Sequence, residues 1–144
     1  MADAATISVT ATMLPDEIAK TMTGSMTVTP STTGLGGKWY YKETTVLTSA
    51  ILLAGYFLGE TLALHVSNDF VDFLFIRNAG TATAQDAYIT LDGGASTATV
   101  VDGIVIGFGE SWFGRMPSTP VAQIIAFAGT STTLIVAALI EDAA

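Results

Sequence analysis

Between Phe70 and Ile140 the chain is a succession of short apolar runs separated by turn-forming residues, and this rhythm points to an all-β fold. The runs are Phe73-Leu74-Phe75-Ile76, Ala87-Tyr88-Ile89-Thr90-Leu91, Gly103-Ile104-Val105-Ile106, Ala122-Gln123-Ile124-Ile125-Ala126-Phe127 and Leu134-Ile135-Val136-Ala137-Ala138-Leu139. Each is about as long as one strand. The breaks between them, such as Arg77-Asn78-Ala79-Gly80, Leu91-Asp92-Gly93-Gly94, Gly107-Phe108-Gly109 and Ala128-Gly129-Thr130, are rich in residues that tolerate turn geometry. Strands recurring every 8–12 residues or so, with turn signals between them, define an antiparallel two-sheet sandwich or jelly roll.

The first half fits the same architecture. Ala5 to Met13 alternates Ile7, Val9, Ala11 and Met13 with Thr6, Ser8, Thr10 and Thr12, the period-two pattern of a half-buried strand. Leu14 to Lys20 has Pro15 and two acids where a helical turn would want them, but it is too short to be stable alone. Thr21 to Thr29 alternates again, and Pro30 ends it because proline cannot donate to a sheet ladder. Pro30 to Gly37 has the composition of a flexible loop, and a strand follows from Trp39 to about Leu47. Ser49 to Glu60 reads equally as a short buried helix or a buried strand, although Gly55 and Gly59 disfavour a long helix. Thr61 to Val66 alternates once more. The sum is about eight to ten strands, at most one or two short helices, and one domain over residues 1–144.

Composition then narrows the function classes. Half of the 144 residues are hydrophobic, 12% are charged, and mean hydropathy is +0.55. Ordinary soluble domains carry about 25% charged residues. Either the chain enters a membrane or other subunits cover much of its surface. The best membrane candidate, Val46 to Val66, has too short an uninterrupted apolar stretch for a spanning helix, contains Glu60 and His65, and lacks flanking bases. Assembly explains the composition better. Met1 to Thr6 carries an acid where a secretory signal needs bases. Net charge is −8, and the five bases, Lys20, Lys38, Lys42, Arg77 and Arg115, are scattered, which argues against direct nucleic-acid binding. With no cysteine, disulfides and thiolate metal sites are excluded.

Catalytic constellations fare poorly. His65 is the only histidine and lies in an alternating run, where a surface or interface role suits it better than that of a general base. Gly109-Glu110-Ser111-Trp112-Phe113-Gly114 resembles a nucleophile elbow with its second glycine one position late; it reads instead as a tight turn burying Trp112 or Phe113. Asp69, Asp72, Asp86, Asp92 and Asp102 lack calcium-loop spacing, and Asp92-Gly93 is first of all a turn. Gly107-Phe108-Gly109 lacks the third glycine and the helix of a dinucleotide fingerprint. The expectation is no enzyme, no metal and no cofactor. Aromatic residues are better placed for partners: in Trp39-Tyr40-Tyr41 and Trp112-Phe113, successive strand side chains point to opposite faces, so at least one ring of each group leaves the core. These five residues are the candidate partner contacts.

The chain also resembles small virion structural proteins of tailed bacteriophages of the marine and cyanobacterial type. The resemblance is carried by Leu14-Pro15-Asp16-Glu17-Ile18-Ala19-Lys20, the Gly24 to Pro30 strand and Lys38-Trp39-Tyr40-Tyr41. It continues through Phe73 to Ile76, Ala87 to Gly94, Ile104 to Trp112 and the ending Leu134 to Asp142. Gly107-Phe108 stands where Gly-Pro-Gly would be expected, a departure confined to that turn. The resemblance implies a capsid decoration, or cement, protein: a sandwich or jelly-roll subunit that trimerises on the outer surface of the virion capsid and bridges the major capsid protein. The alternatives are a tail, collar or fibre component, including a host-glycan-binding sandwich marked by exposed aromatics beside Asn or Asp, and a hydrolase, which one histidine and no nucleophile motif disfavour.

Overall fold

The computed structural model describes residues 4–13, 20–32, 36–65, 67–94 and 103–143. Within them the chain is all-β. The strands are β1 (Ala5–Met13), β2 (Lys20–Val28), β3 (Gly37–Val46), β4 (Ala50–Ile51), β5 (Phe70–Asn78), β6 (Ala87–Thr90), β7 (Ile104–Ile106), β8 (Ser111–Pro120), β9 (Ile125–Ala128) and β10 (Thr132–Glu141). One 3-10 turn, Val121–Gln123, joins β8 to β9. The expected helical turn at Leu14 to Lys20 falls largely outside the described residues, and Lys20 itself already belongs to β2.

Two four-stranded antiparallel sheets, ordered β3-β10-β5-β8 and β4-β9-β6-β7, enclose one core. Alternation assigns its members. β10 sends Leu134, Val136 and Ala138 inward between Val46 and Tyr40 of β3 and Leu74 and Ile76 of β5. The facing sheet supplies Ala87, Ile89, Ile106, Ala126 and Ala128. β1 and β2 form a third sheet of their own, a hairpin in full register from Ala5↔Val28 to Met13↔Lys20. The expected pair of sheets is thus a pair plus an arm, because the alternating faces of β1 and β2 find partners only in each other along the ladder.

Three other expectations change. Ser111 to Pro120 is a ten-residue strand, not a turn followed by breakers. It lies at the edge of its sheet, where missing proline N–H groups cost no ladder bonds. Its register against β5 jumps from Val71↔Thr119 to Phe73↔Arg115, so Pro117 and Ser118 (φ 45°) occupy a bulge rather than the ladder. Ser49 to Glu60 holds only the two-residue β4 and then irregular backbone. The described part of the expected Thr61 to Val66 strand, residues 61–65, is no strand: a single bridge, Tyr56↔Ala63, survives there, because Glu60 N–H bonds the Phe57 carbonyl and folds the chain back, and Val66 lies outside the described residues. The loop expected at 30–37 is described only at its ends, which Gly37 N–H ties together by donating to the Ser31 carbonyl at 2.9 Å. No helix among the described residues is long and apolar enough to cross a membrane.

Candidate functional site

The sheet β3-β10-β5-β8 has a second face, turned away from the core, and its register places Trp39, Tyr41, Phe73, Phe75 and Phe113 there. One row reads Trp39, Leu139, Phe73, Arg115; the next reads Tyr41, Ala137, Phe75, Phe113; the third reads Glu43, Ile135, Arg77, Ser111. The base of the β1–β2 hairpin rests on this surface. Val28 is buried with Phe73 and Leu139, and Ile7, Met26, Trp39, Phe75 and Phe113 pack around them. One polar tie reinforces the contact, Arg115 Nη2 donating to the Thr27 carbonyl at 2.8 Å.

Farther along, the arm loses its support. Its apolar face continues through Val9, Ala11 and Met22, all exposed, with Met22 53% accessible. The opposite face is a ladder of hydroxyl residues, Thr6↔Thr27, Ser8↔Ser25 and Thr10↔Thr23. Between arm and sheet opens a cleft of about 300 Å³, lined by Ile7, Val9, Gly24, Ser25, Met26 and Phe113.

A second exposed apolar surface is the loop from Leu52 to His65. Leu53 and Phe57 anchor it in the core, while Tyr56 (63%), Leu58 (58%) and Leu62 point to solvent. The inward-facing residues of β3 hold this loop. Tyr40 Oη donates to the Ala54 carbonyl at 3.1 Å and accepts from Ala54 N–H, and Lys42 Nζ donates to the same carbonyl. Lys38 Nζ lies 3.1 Å from both Glu60 Oε2 and Asp142 Oδ2, with the Phe57 ring centroid at 5.3 Å. Desolvation works to lower the Lys38 pKa, but hydrogen bonds and charge from Glu60 and Asp142 leave it above its ordinary value. Burial raises the Tyr40 phenol, only partly opposed by its backbone bond to Ala54.

Of the five sequence candidates, strand alternation therefore separates Tyr40 from its neighbours. Tyr40 is 1% exposed and fills the core, so it has no surface to offer a partner. Tyr41 is 53% exposed on the outer face, and Trp39 is half-buried under the hairpin base. Trp112 packs partly against the core, and Phe113 lies on the outer face beside the arm. Sequence reasoning passed over Tyr56, Leu58 and Leu62; their exposure follows from a reversal at 57–62 that the period-two reading of Thr61 to Val66 concealed.

Several of the residues weighed for chemistry have structural tasks. His65 is exposed, and its backbone N–H donates to Asp69 Oδ2 at 2.7 Å. Asp69 is fully buried; its other carboxylate oxygen takes the Ala143 N–H, tying the 65–69 turn to the C-terminal segment. Asp92 Oδ1 caps Gly94 N–H within its turn. Asp102 lies outside the described residues. No cluster of three or more His, Cys, Asp or Glu side chains able to hold a metal occurs among the described residues. Ser111 opens β8 rather than sitting on a strand-to-helix elbow.

No protein family, curated protein or solved structure matches this chain.

Proposed function

We propose that the chain is a non-enzymatic virion structural protein that decorates the outer capsid surface and bridges major capsid subunits. The observation that carries this reading is that two separate surfaces of the chain each present more than one exposed apolar side chain. One is the arm, with Val9 and Met22; the other is the loop tip with Tyr56, Leu58 and Leu62. A bridging subunit needs two such surfaces, one for copies of itself and one for the lattice, on a body that does not deform. The sandwich between them is fully cored. The resemblance to phage virion proteins and the low charged fraction support the same conclusion.

A glycan-binding tail role is less well supported. The Phe108 turn, 107–110, holds no Asn or Asp of its own, and in the connection that carries Tyr56 the acid of the Asn68-Asp69 pair is buried and accepts backbone N–H groups. Mass spectrometry of heads and tails separated from virions of the phage encoding the chain tests the proposal. The expected result is many copies on heads. Copies on tails alone, or none in the virion, would overturn it.

A further inference from the structure

We infer that the unsupported half of the β1–β2 arm docks on the outer sheet face of a second copy of this chain, with the second copy's Tyr41 ring seated over Gly24. This rests on the reading that the protein assembles with copies of itself.

Gly24 is the starting point. Glycine weakens a strand interior and commonly marks close approach of another group. Here the chain's own fold gives no reason for it. Its φ is not among the positive ones, a Cβ built on it meets nothing within 4 Å, and it pairs with Val9 in an otherwise regular ladder. What glycine leaves is the open cleft beside Val9, Met26 and Phe113. An aromatic ring laid over a strand glycine covers the backbone a missing side chain exposes.

The occupant follows from the outer face itself. That face already accepts this arm: Ile7, Met26 and Val28 lie against Trp39, Phe73 and Leu139 within one chain. One row on, the same face continues as Tyr41 and Ala137, outside that contact, with Tyr41 53% exposed beside the small Ala137. Each chain therefore holds a surplus of arm and a surplus of the surface that arms of this kind fit. Charge permits the same partner. The chain carries −8, so copies repel, yet β1 contains no charged residue and β2 only Lys20 at its start. A contact through these strands adds no pair of like acidic charges of its own. The free stretch is only about 15 Å long at strand rise, so one docked arm is a weak contact. Reciprocal docking in a closed ring, each copy giving one arm and receiving one, makes assembly stable.

Sedimentation velocity on the purified full chain over a concentration series tests this, with Gly24→Val, Tyr41→Ala, the double variant and Val105→Ser as a remote exposed control. Circular dichroism checks that each variant folds; Tyr41 is exposed, so its removal leaves the sandwich intact. Wild type and the control are expected to associate alike, and each arm-site variant to associate at least about tenfold more weakly. The double variant is expected to lose little more than either single one, because both break one contact. A mixture of Gly24→Val with Tyr41→Ala is expected to associate better than either alone, since each supplies the half the other lacks. A monomeric wild type, association indifferent to both changes, or strictly additive losses would overturn the inference. Capsids play no part in this assay. Self-association through Gly24 and Tyr41 without head binding would sink only the decoration reading, and a monomer that binds heads would sink only this one.

Discussion

Asn78 shows how single polar residues hold the loops of this sandwich. It is fully buried at the end of β5, and its Nδ2 donates to the carbonyls of Gln85 (2.6 Å) and Ile106 (2.9 Å) while Oδ1 accepts from Gly80 N–H. Its backbone also bonds Glu110 and Gly109. A buried group stripped of its partner bears its full desolvation penalty. Asn78→Ala is thus expected to destabilise by about 2–4 kcal/mol, read from urea unfolding; a loss below about 1 kcal/mol would mean water replaces the amide readily. The Lys38 and Tyr40 pair gives a pH prediction. Both pKa values are raised by folding, so their stabilisation is complete below the unfolded values near 10 and is lost as pH rises through the folded ones. Thermal unfolding should show a falling melting temperature above about pH 10. Lys38→Met together with Tyr40→Phe should flatten that decline, and an unchanged slope would refute the assignment.

At the level of elements, the central strand and the arm mark the extremes. β10 is paired along both edges, to β3 and to β5, and lines the core with Leu134, Val136 and Ala138. The arm is a two-stranded sheet joined to the body by side-chain packing at its base, and isolated hairpins are marginal in water. Hydrogen exchange on dilute protein should therefore find β10 amides opening only with global unfolding and β1 and β2 amides near Val9 and Gly24 exchanging much faster. Equal protection would show that the arm is supported even in the monomer. Much of this was legible in the sequence, since period-two alternation located β1 and β2, the break at 30–37 located β3, and the apolar run Phe73 to Ile76 marked the middle of β5. β8 was not, because Gly114, Pro117 and Pro120 are breakers in any central strand and only edge position and a bulge make them tolerable. Alternation also showed that Trp39, Tyr40 and Tyr41 split between two faces. It gave no sign of which face the second sheet would cover, so Tyr40 went inside by tertiary packing alone. That β1 and β2 would stand as a separate sheet was equally invisible, since a strand's own pattern records that it has an apolar face and not what lies against it.

The molecule as a whole combines strong negative charge with contact surfaces made mainly of apolar groups, the loop's Glu60 being paired with Lys38, and that combination predicts how assembly responds to salt. Thirteen acids stand against five bases, so two copies repel at long range. The apolar groups proposed to make contact, Val9 and Met22 on the arm and Tyr56, Leu58 and Leu62 on the loop, add no charge to either interface. Salt screens the repulsion over a Debye length of about 10 Å or less at physiological strength and leaves apolar burial intact. Binding to isolated heads is therefore expected to hold or strengthen as sodium chloride rises, which a pelleting assay at several ionic strengths would measure. A protein that bound through a basic patch would lose affinity steeply over the same range. Tyr56→Ser with Leu58→Ser then separates the two surfaces. Both side chains are exposed, so stability should change by less than about 1 kcal/mol, while affinity for heads drops by about tenfold or more if these rings and methyls anchor the lattice contact. Self-association through the arm should survive the change. Head binding that weakens with salt, or that ignores the loss of Tyr56 and Leu58, would show that the lattice is held by charge or by another surface, and the bridging geometry proposed for this chain would be wrong.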